Sequence, residues 1–442
     1  MDIKFGTDGI RAEVNKGLTP EIAYKVGSAL ALFLKEKVNK RVLVARDTRK
    51  SCDMLMCALS SGLMSQGVDV HFASYLPTPA LSYLTKKFGY DAGVMITASH
   101  NTHNYNGIKI FNEDGLKYKT SQCLELENIS RQNNKFVHFT KVGEFTHVNL
   151  AAEYIKLLKN KLKKCSFKIC FDCANGVTSL FAKKIFSKLD NVSFISTSCE
   201  SELVNVKCGA TDIKKLSHFV KGNQFDVGFA FDGDGDRVIA VDEKGECVDG
   251  DELLYIIARD FLARKKLKKK VVVGTVMTNY GVQASLADLG IMLIREQVGD
   301  KYIQHNMIAN GYSVGGEQSG HIIINGSNPT GDGMLVACEV LNIMRRSNKS
   351  LHELKSLIKK FPQKKENVVV SPSKKEYVIN NEEVKDLVSK CENELAGYGR
   401  VLVRASGTEN LIRVLVEGEN SRLVNGINNK IVKKIKEVIQ HC

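Results

Sequence analysis

FDVGFAFDGDGDRVIAVD, residues 225–242, decides the fold. FDVGFAF (225–231) is an apolar run that reads as a buried strand, and a second strand-like run resumes at Val238. Between them Asp232, Asp234 and Asp236 alternate with glycine. Carboxylates this close repel one another unless a cation neutralises them. The glycines let the backbone fold tightly enough for all three to face one ion. Hard oxygen donors at this density select Mg²⁺, Mn²⁺ or Ca²⁺ over zinc. An EF-hand is excluded, because Arg237 stands where that loop needs glycine and the flanks read as strands, not helices.

The same alternation of apolar strand, turn and amphipathic helix extends in both directions, which predicts an α/β fold. RVLVAR (41–46), VDVHF (68–72) and AGVMITAS (92–99) read as strands, with helices at 21–37, 54–66 and 80–88 between them. A second series starts with a helix at 151–162 and contains the strand FKICFD (167–172), a helix over 177–189 and the strand VSFIS (192–196). A third follows Asp249, with VVVGTV (271–276), a helix at 280–289, IMLIR (291–295) and a helix after Gly299. FPQKKENVVVSPSKKE (361–376) reads as a linker into a smaller unit of helix (382–395), strands RVLVRA (400–405) and LIRVLVEG (411–418), and helix. A short turn joins those strands, so an antiparallel hairpin and an α+β class are expected there. The predicted domains are 1–150, 151–250, 251–365 and 366–442.

A chain of 442 residues is too long for a single core. Its composition is that of a globular protein, 43% hydrophobic and 25% charged. No leader-like segment opens it and no apolar run approaches a membrane span, so a cytoplasmic location is expected. The twelve cysteines fit a reducing compartment, and Cys170 and Cys173 read as small buried hydrophobes because zinc would need a second pair. The net charge of +14 sits in lysine clusters without interleaved aromatics, which argues for solvated faces and against nucleic acid.

Three further loops carry chemistry. TASHNTHNYNGIKIF (97–111) delivers Ser99 from a strand into a polar stretch. No G-x-S-x-G elbow surrounds it, and a serine beside an acidic metal loop suggests phosphoryl transfer. Lys109 could act there as a base if neighbouring cations lower its pKa. VGGEQSGHIII (314–324) groups Glu317, Ser319 and His321 as a set suited to sugar hydroxyls. RASGTENLIRV (404–414) offers Arg404, Ser406, Gly407, Thr408 and Arg413, an inventory suited to a dianionic phosphate.

Together with FGTDGIR (5–11), RDTR (46–49), PTPA (77–80), CANG (173–176), CGATD (208–212) and VGDKYI (298–303), these loops resemble the α-D-phosphohexomutase superfamily, and most closely its bacterial glucosamine-phosphate branch. The resemblance implies three tandem α/β/α mixed-sheet domains plus a smaller C-terminal α+β domain, heart-shaped around a central cleft. It implies a phosphoserine at Ser99 and one Mg²⁺ held by Ser99, Asp232, Asp234 and Asp236. Lys109 and Arg11 would serve proton transfer and steady the transferring group, with His100 nearby and Arg237 approaching the substrate. Glu317, Ser319 and His321 would hold the sugar, and the loop from Arg404 to Arg413 the non-reacting phosphate. The implied reaction interconverts glucosamine 6-phosphate and glucosamine 1-phosphate through a 1,6-bisphosphate, toward UDP-N-acetylglucosamine and peptidoglycan. The partner is thus a small hexosamine phosphate, with no nucleic acid and no membrane; a homodimer is one assembly the sequence allows. A mutase for mannose or glucose phosphates and a non-catalytic sugar-phosphate sensor are the rival readings.

Three positions depart from the superfamily pattern: Thr102 and Asn410 stand where it usually has proline, and Cys52 where it often has glycine. None is a proposed catalytic group. Proline would preorganise the phosphate loop, so Asn410→Pro is expected to tighten phosphate binding modestly; an unchanged affinity for the sugar phosphate contradicts this.

Overall fold

The computed structural model describes residues 3–37, 40–132, 135–406 and 410–440. The chain forms two compact units, Met1–Met277 with Leu293–Lys355, and Thr278–Met292 with Ser356–Cys442.

The first unit carries three sheets, each begun by apolar runs that the sequence marks as strands. The first orders its strands Ile10–Glu13, Tyr105–Asn112, Ala92–Ile96, Arg41–Arg46, Asp69–Tyr75 and Phe145–His147. Its centre is parallel, and Tyr105–Asn112 runs antiparallel to Ala92–Ile96. That reversal places Lys109 on the strand beside the one that leads to Ser99. The second sheet runs Cys247–Val248, Val238–Asp242, Val227–Phe231, Ile169–Asp172 and Val192–Ile195. Val227–Phe231 and Val238–Asp242 pair antiparallel, so the acidic loop is the hairpin between two fully buried strands. In the third sheet Val314–Gly316 and Ile322–Ile324 form the hairpin that carries Glu317, Ser319 and His321. Stacked aromatics fill the second core: Phe171 lies 4.0 Å from Phe186 and 5.7 Å from Phe229 between ring centres.

The second unit is α+β. Its sheet orders Gln363–Val369, Leu411–Gly418 and Gly399–Ala405, all antiparallel, against the amphipathic helix Ser421–Gln440 and the helix Glu382–Glu394.

Two expectations change. The segment 361–376 is not a linker, since Gln363–Val369 pairs along its length with Leu411–Gly418 and the expected boundary at 365 falls inside it. Its charged side chains suit a sheet edge but hide the strand period. The expected helix over 177–189 breaks into a 3₁₀ turn, Val177–Leu180, and a short helix, Ala182–Ile185. There the first turn closes with 3₁₀ bonds, the Ser179 N–H to the Gly176 carbonyl and the Phe181 N–H to that of Thr178, before a separate helix begins. The described cysteines are free thiols, with Cys170 and Cys173 buried. Among the described residues no helix is long and apolar enough to cross a membrane.

The helices Pro20–Phe33 and Cys52–Met64 approach each other through glycine. A Cβ at Gly62 would lie 2.2 Å from the Tyr24 carbonyl oxygen, and one at Gly27 2.1 Å from that of Leu59. Gly62→Ala gains roughly 1 kcal/mol of helix propensity. Overpacking against rigid backbone costs up to about 3 kcal/mol. A lower urea midpoint is therefore expected; a raised one would show that the helices can separate freely.

Candidate active site

Buried strands bring the predicted loops of the first unit to one place. The strand Ala92–Ile96 ends just before Ser99, whose backbone turns left-handed at φ 51° and whose side chain is buried. Ser99 Oγ donates to Asp232 Oδ2 at 2.6 Å and lies 3.4 Å from Asp236 Oδ1. The acidic hairpin can come this close because Gly233 has no side chain: a Cβ there would meet the Ser99 carbonyl oxygen at 2.7 Å.

Asp232, Asp234 and Asp236 are buried, and one carboxylate oxygen of each lies within 4.8 Å of the others. Lys109 Nζ bridges Asp234 Oδ2 at 2.8 Å and Asp236 Oδ2 at 2.7 Å, and Thr78 Oγ1 donates to Asp234 Oδ2 at 2.5 Å. Compensation remains incomplete. Asp234 Oδ1 is buried without a hydrogen-bond partner among the described residues. Burial, Asp236 and Asp234 together push the Asp232 carboxyl well above the usual carboxylate range. Burial alone would raise Asp236 too, but Lys109 and His321 outweigh it and hold its pKa well below that range. An all-oxygen set with an orphaned acceptor and surplus negative charge fits a hard divalent cation.

Lys109 does not meet the condition set for it as a base. Burial favours its neutral form, yet Asp234, Asp236 and Asp8 outweigh burial and raise its pKa well above the ordinary lysine value. The facing groups are carboxylates, so the amine is held as an ammonium. Asp8 also ion-pairs with Arg11 and Lys117, and Lys117 with Asp300. Burial would raise Asp8, but Lys109, Lys117 and Arg11 hold it well below the carboxylate range.

Arg11 Nη1 donates to Asn101 Oδ1 at 3.1 Å and lies 3.5 Å from His100 Nδ1. Burial, then Arg237 and Arg11, lower the His100 pKa to about 3, so this imidazole is neutral. The Arg237 backbone N–H donates to Asp232 Oδ1 at 3.1 Å, and its Nε lies 3.9 Å from Asp236 Oδ1. His321 is buried, with Nε2 3.2 Å from Asp300 Oδ2 and Nδ1 3.8 Å from Asp236 Oδ1. Burial opposes its charge, but the two carboxylates raise its pKa. Glu317 accepts from the Gly299 N–H at 3.1 Å and sits 3.4 Å from Ser319 Oγ.

The remaining predicted residues form a group of their own in the second unit. Arg404 and Arg413 are directly opposite partners in the antiparallel pair. Like charges so placed are destabilising; burial first, then Arg413, lower the Arg404 pKa. Arg404 Nε is buried with no hydrogen-bond partner among the described residues. An anion resolves both conditions. Ser406 is buried beside this pair, and its backbone N–H donates to the Leu411 carbonyl. Gly407 and Thr408 lie outside the described residues.

Sequence reasoning missed Asp8, Lys117 and Asp300. Asp8 stands within FGTDGIR, where only Arg11 drew notice. Lys117 and Asp300 are 183 residues apart, and no local pattern announces their pairing.

Comparison with known proteins identifies the family. Residues 2–136, 148–245 and 249–361 match the family models for phosphoglucomutase/phosphomannomutase alpha/beta/alpha domains I, II and III, and 366–434 the model for its C-terminal domain. The chain belongs to the phosphoglucomutase/phosphomannomutase family. Within that family it is 42% identical to a protein of Caldanaerobacter subterraneus subsp. tengcongensis named phosphoglucosamine mutase, over 99% of this chain and 98% of that one. It is 43% identical to the Bacillus pumilus protein of the same name, over 98% of each. Among solved structures, a phosphoglucomutase/phosphomannomutase family protein from Burkholderia thailandensis has the same fold, with a TM-score of 0.83 at 21% identity, covering 99% of this chain and 98% of that one. So does Aspergillus fumigatus N-acetylphosphoglucosamine mutase, solved with GlcNAc-6P and magnesium: the TM-score is 0.67 at 16% identity, over 99% and 96% of the two chains.

The raised Asp232 pKa fixes the pH dependence of metal binding. Below it the carboxyl holds a proton that an incoming ion must displace; above it the ion meets a free carboxylate. Mg²⁺ is therefore expected to raise the melting temperature by an amount that grows from pH 5.5 to pH 8. At a hundred times its Kd an ion adds about 2.7 kcal/mol. A shift that is absent, or that shrinks with rising pH, counts against a metal at this triad.

Proposed function

We propose that this enzyme is a phosphoglucosamine mutase that interconverts glucosamine 6-phosphate and glucosamine 1-phosphate through a phosphoserine at Ser99. The observation that carries the mechanism is the Ser99 hydroxyl, held 2.6 Å from Asp232 beside a buried acidic triad. The substrate follows from near full-length identity of about 42% to proteins named for that activity.

Ser99, Asp232, Asp234 and Asp236 would hold one Mg²⁺, which supplies charge stabilisation for phosphoryl transfer and offsets the triad's negative charge. Asp234 and Asp236 raise the Lys109 pKa together with Asp8, while burial and Arg11 lower it. In this reading Lys109 Nζ would take the proton of the attacking sugar hydroxyl as the Ser99 Oγ–phosphorus bond breaks and the new O–P bond forms. The resulting 1,6-bisphosphate turns over, Ser99 Oγ attacks the other phosphorus, and the sugar oxygen it releases regains a proton from Lys109. Arg11 and Arg237 place positive charge beside Ser99, as the equatorial phosphoryl oxygens require. Glu317, Ser319 and His321 would orient sugar hydroxyls. The Arg404–Arg413 pair, with Ser406, Gly407 and Thr408, would bind the phosphate that is not reacting. The domains would divide at 150/151 and 250/251, with the C-terminal unit taking in the strand Gln363–Val369, and a cytoplasmic location suits this substrate.

Intact mass before and after phosphatase, with Ser99→Ala as control, tests the reading alongside turnover in Mg²⁺ with a trace of sugar bisphosphate. Phosphate on Ser99 and turnover lost by at least 10³-fold in Ser99→Ala are expected. Competition by mannose and glucose phosphates should be weak. An active Ser99→Ala protein, or preference for either competitor, overturns the mechanism or the substrate respectively.

A further inference from the structure

We propose that Arg49 and Asn205 are positioning residues that clamp the backbone of Ser99, so that its Oγ keeps one location with or without a phosphoryl group. The role rests on the mutase reading above and adds two residues that take no part in its chemistry.

Ser99 needs such a clamp because its φ of 51° lies in the left-handed region, which a residue bearing a Cβ rarely adopts. Its side chain cannot supply it through a catalytic cycle. The hydroxyl donates to Asp232 at 2.6 Å, and that donor hydrogen is lost once Oγ is esterified. A tether that survives both states must act on the peptide groups.

Arg49 is fully buried, and all five of its guanidinium N–H donors are engaged. Nε donates to Asp47 Oδ2 at 2.9 Å. Nη1 donates to the carbonyls of Thr102 at 2.5 Å and Tyr105 at 3.0 Å. Nη2 donates to those of Ser99 at 3.0 Å and Asn101 at 2.7 Å. Four of the five bonds therefore hold carbonyls of the serine loop. The other side of the Ser99 peptide is tied to the same ion pair: its N–H donates to Thr97 Oγ1 at 2.9 Å, and Thr97 Oγ1 donates to Asp47 Oδ2 at 2.6 Å.

Asn205 closes the clamp from the second sheet's side of the unit. Its Nδ2 donates to the Ser99 carbonyl at 2.8 Å and the Asn101 carbonyl at 3.0 Å. Its own backbone is left-handed, at φ 59°, with the N–H bound to the Ala174 carbonyl. The Ser99 carbonyl thus accepts from two side chains belonging to different segments. Ser99 Oγ is thereby registered to the segment that carries the acidic hairpin.

Asn205→Asp is nearly isosteric but sets a carboxylate oxygen against two carbonyl oxygens. We expect kcat to fall about 10- to 100-fold, the range that a displacement near 1 Å produces, with KM within twofold of wild type. We also expect the variant's phosphoserine to lose phosphate to water faster, read by intact mass over time, with the melting temperature lowered by only a few degrees. Asn205→Ala, which buries no charge, and Arg49→Lys, which keeps charge but loses the fork, carry the same comparison should the aspartate variant fold poorly. A folded Asn205→Asp or Asn205→Ala protein with wild-type kcat and a wild-type rate of phosphate loss overturns the proposal. So does a kcat that falls only in proportion to the folded fraction. A wild-type protein without turnover instead overturns the mutase reading, and this role with it.

Discussion

Asp232, Asp234 and Asp236 are buried together, and much of the first unit is arranged around their mutual repulsion. Two like charges 4 Å apart at an effective dielectric near 20 repel by about 4 kcal/mol, more than most single contacts contribute. Lys109 answers part of that charge directly. Asp232 answers another part by its raised pKa, and Thr78 and Ser99 donate hydrogen bonds. The orphaned Asp234 Oδ1 marks what remains. A site left short of positive charge is one that a divalent ion completes.

This constraint links three sheets that are far apart in sequence. Lys109 comes from the antiparallel strand of the first sheet, the carboxylates from a hairpin of the second, and His321 from a hairpin of the third. Further ion pairs, Arg11 with Asp8 and Lys117 with both Asp8 and Asp300, join the first of these segments to the helix that starts at Asp300. Charge state and position are thus coupled. Lys109 pairs with Asp8 as well as with the triad, and the backbone of Ser99 is held separately by Arg49 and Asn205.

What the sequence made legible follows from how local each signal was. Buried strands such as 41–46, 227–231 and 271–275 announced themselves as apolar runs, and the acidic and serine loops lay directly after them. The edge strand Gln363–Val369 did not, because lysines and a glutamate occupy positions where alternation would otherwise show. The helix expected over 177–189 breaks where its first turn closes with 3₁₀ bonds, a change of hydrogen-bond step that apolar periodicity does not show. The charge state expected of Lys109 could not be read from its neighbours in sequence, because the groups that set it come from Asp8 and from a hairpin some 125 residues away. RDTR was visible as a motif, yet the use of Arg49 appears only when its five donors are followed to their acceptors.

The central claim is that the phosphate on Ser99 and the phosphate of the sugar change places in each cycle. The most direct test supplies glucosamine 6-phosphate carrying ¹⁸O in its phosphoryl oxygens to unlabelled phosphoenzyme, and analyses the Ser99 peptide by mass after about one turnover. The account predicts heavy phosphate on Ser99 and light phosphate on the glucosamine 1-phosphate formed. Labelled product with an unlabelled Ser99 phosphate would contradict it, since the phosphoryl group would then have moved without passing through the serine.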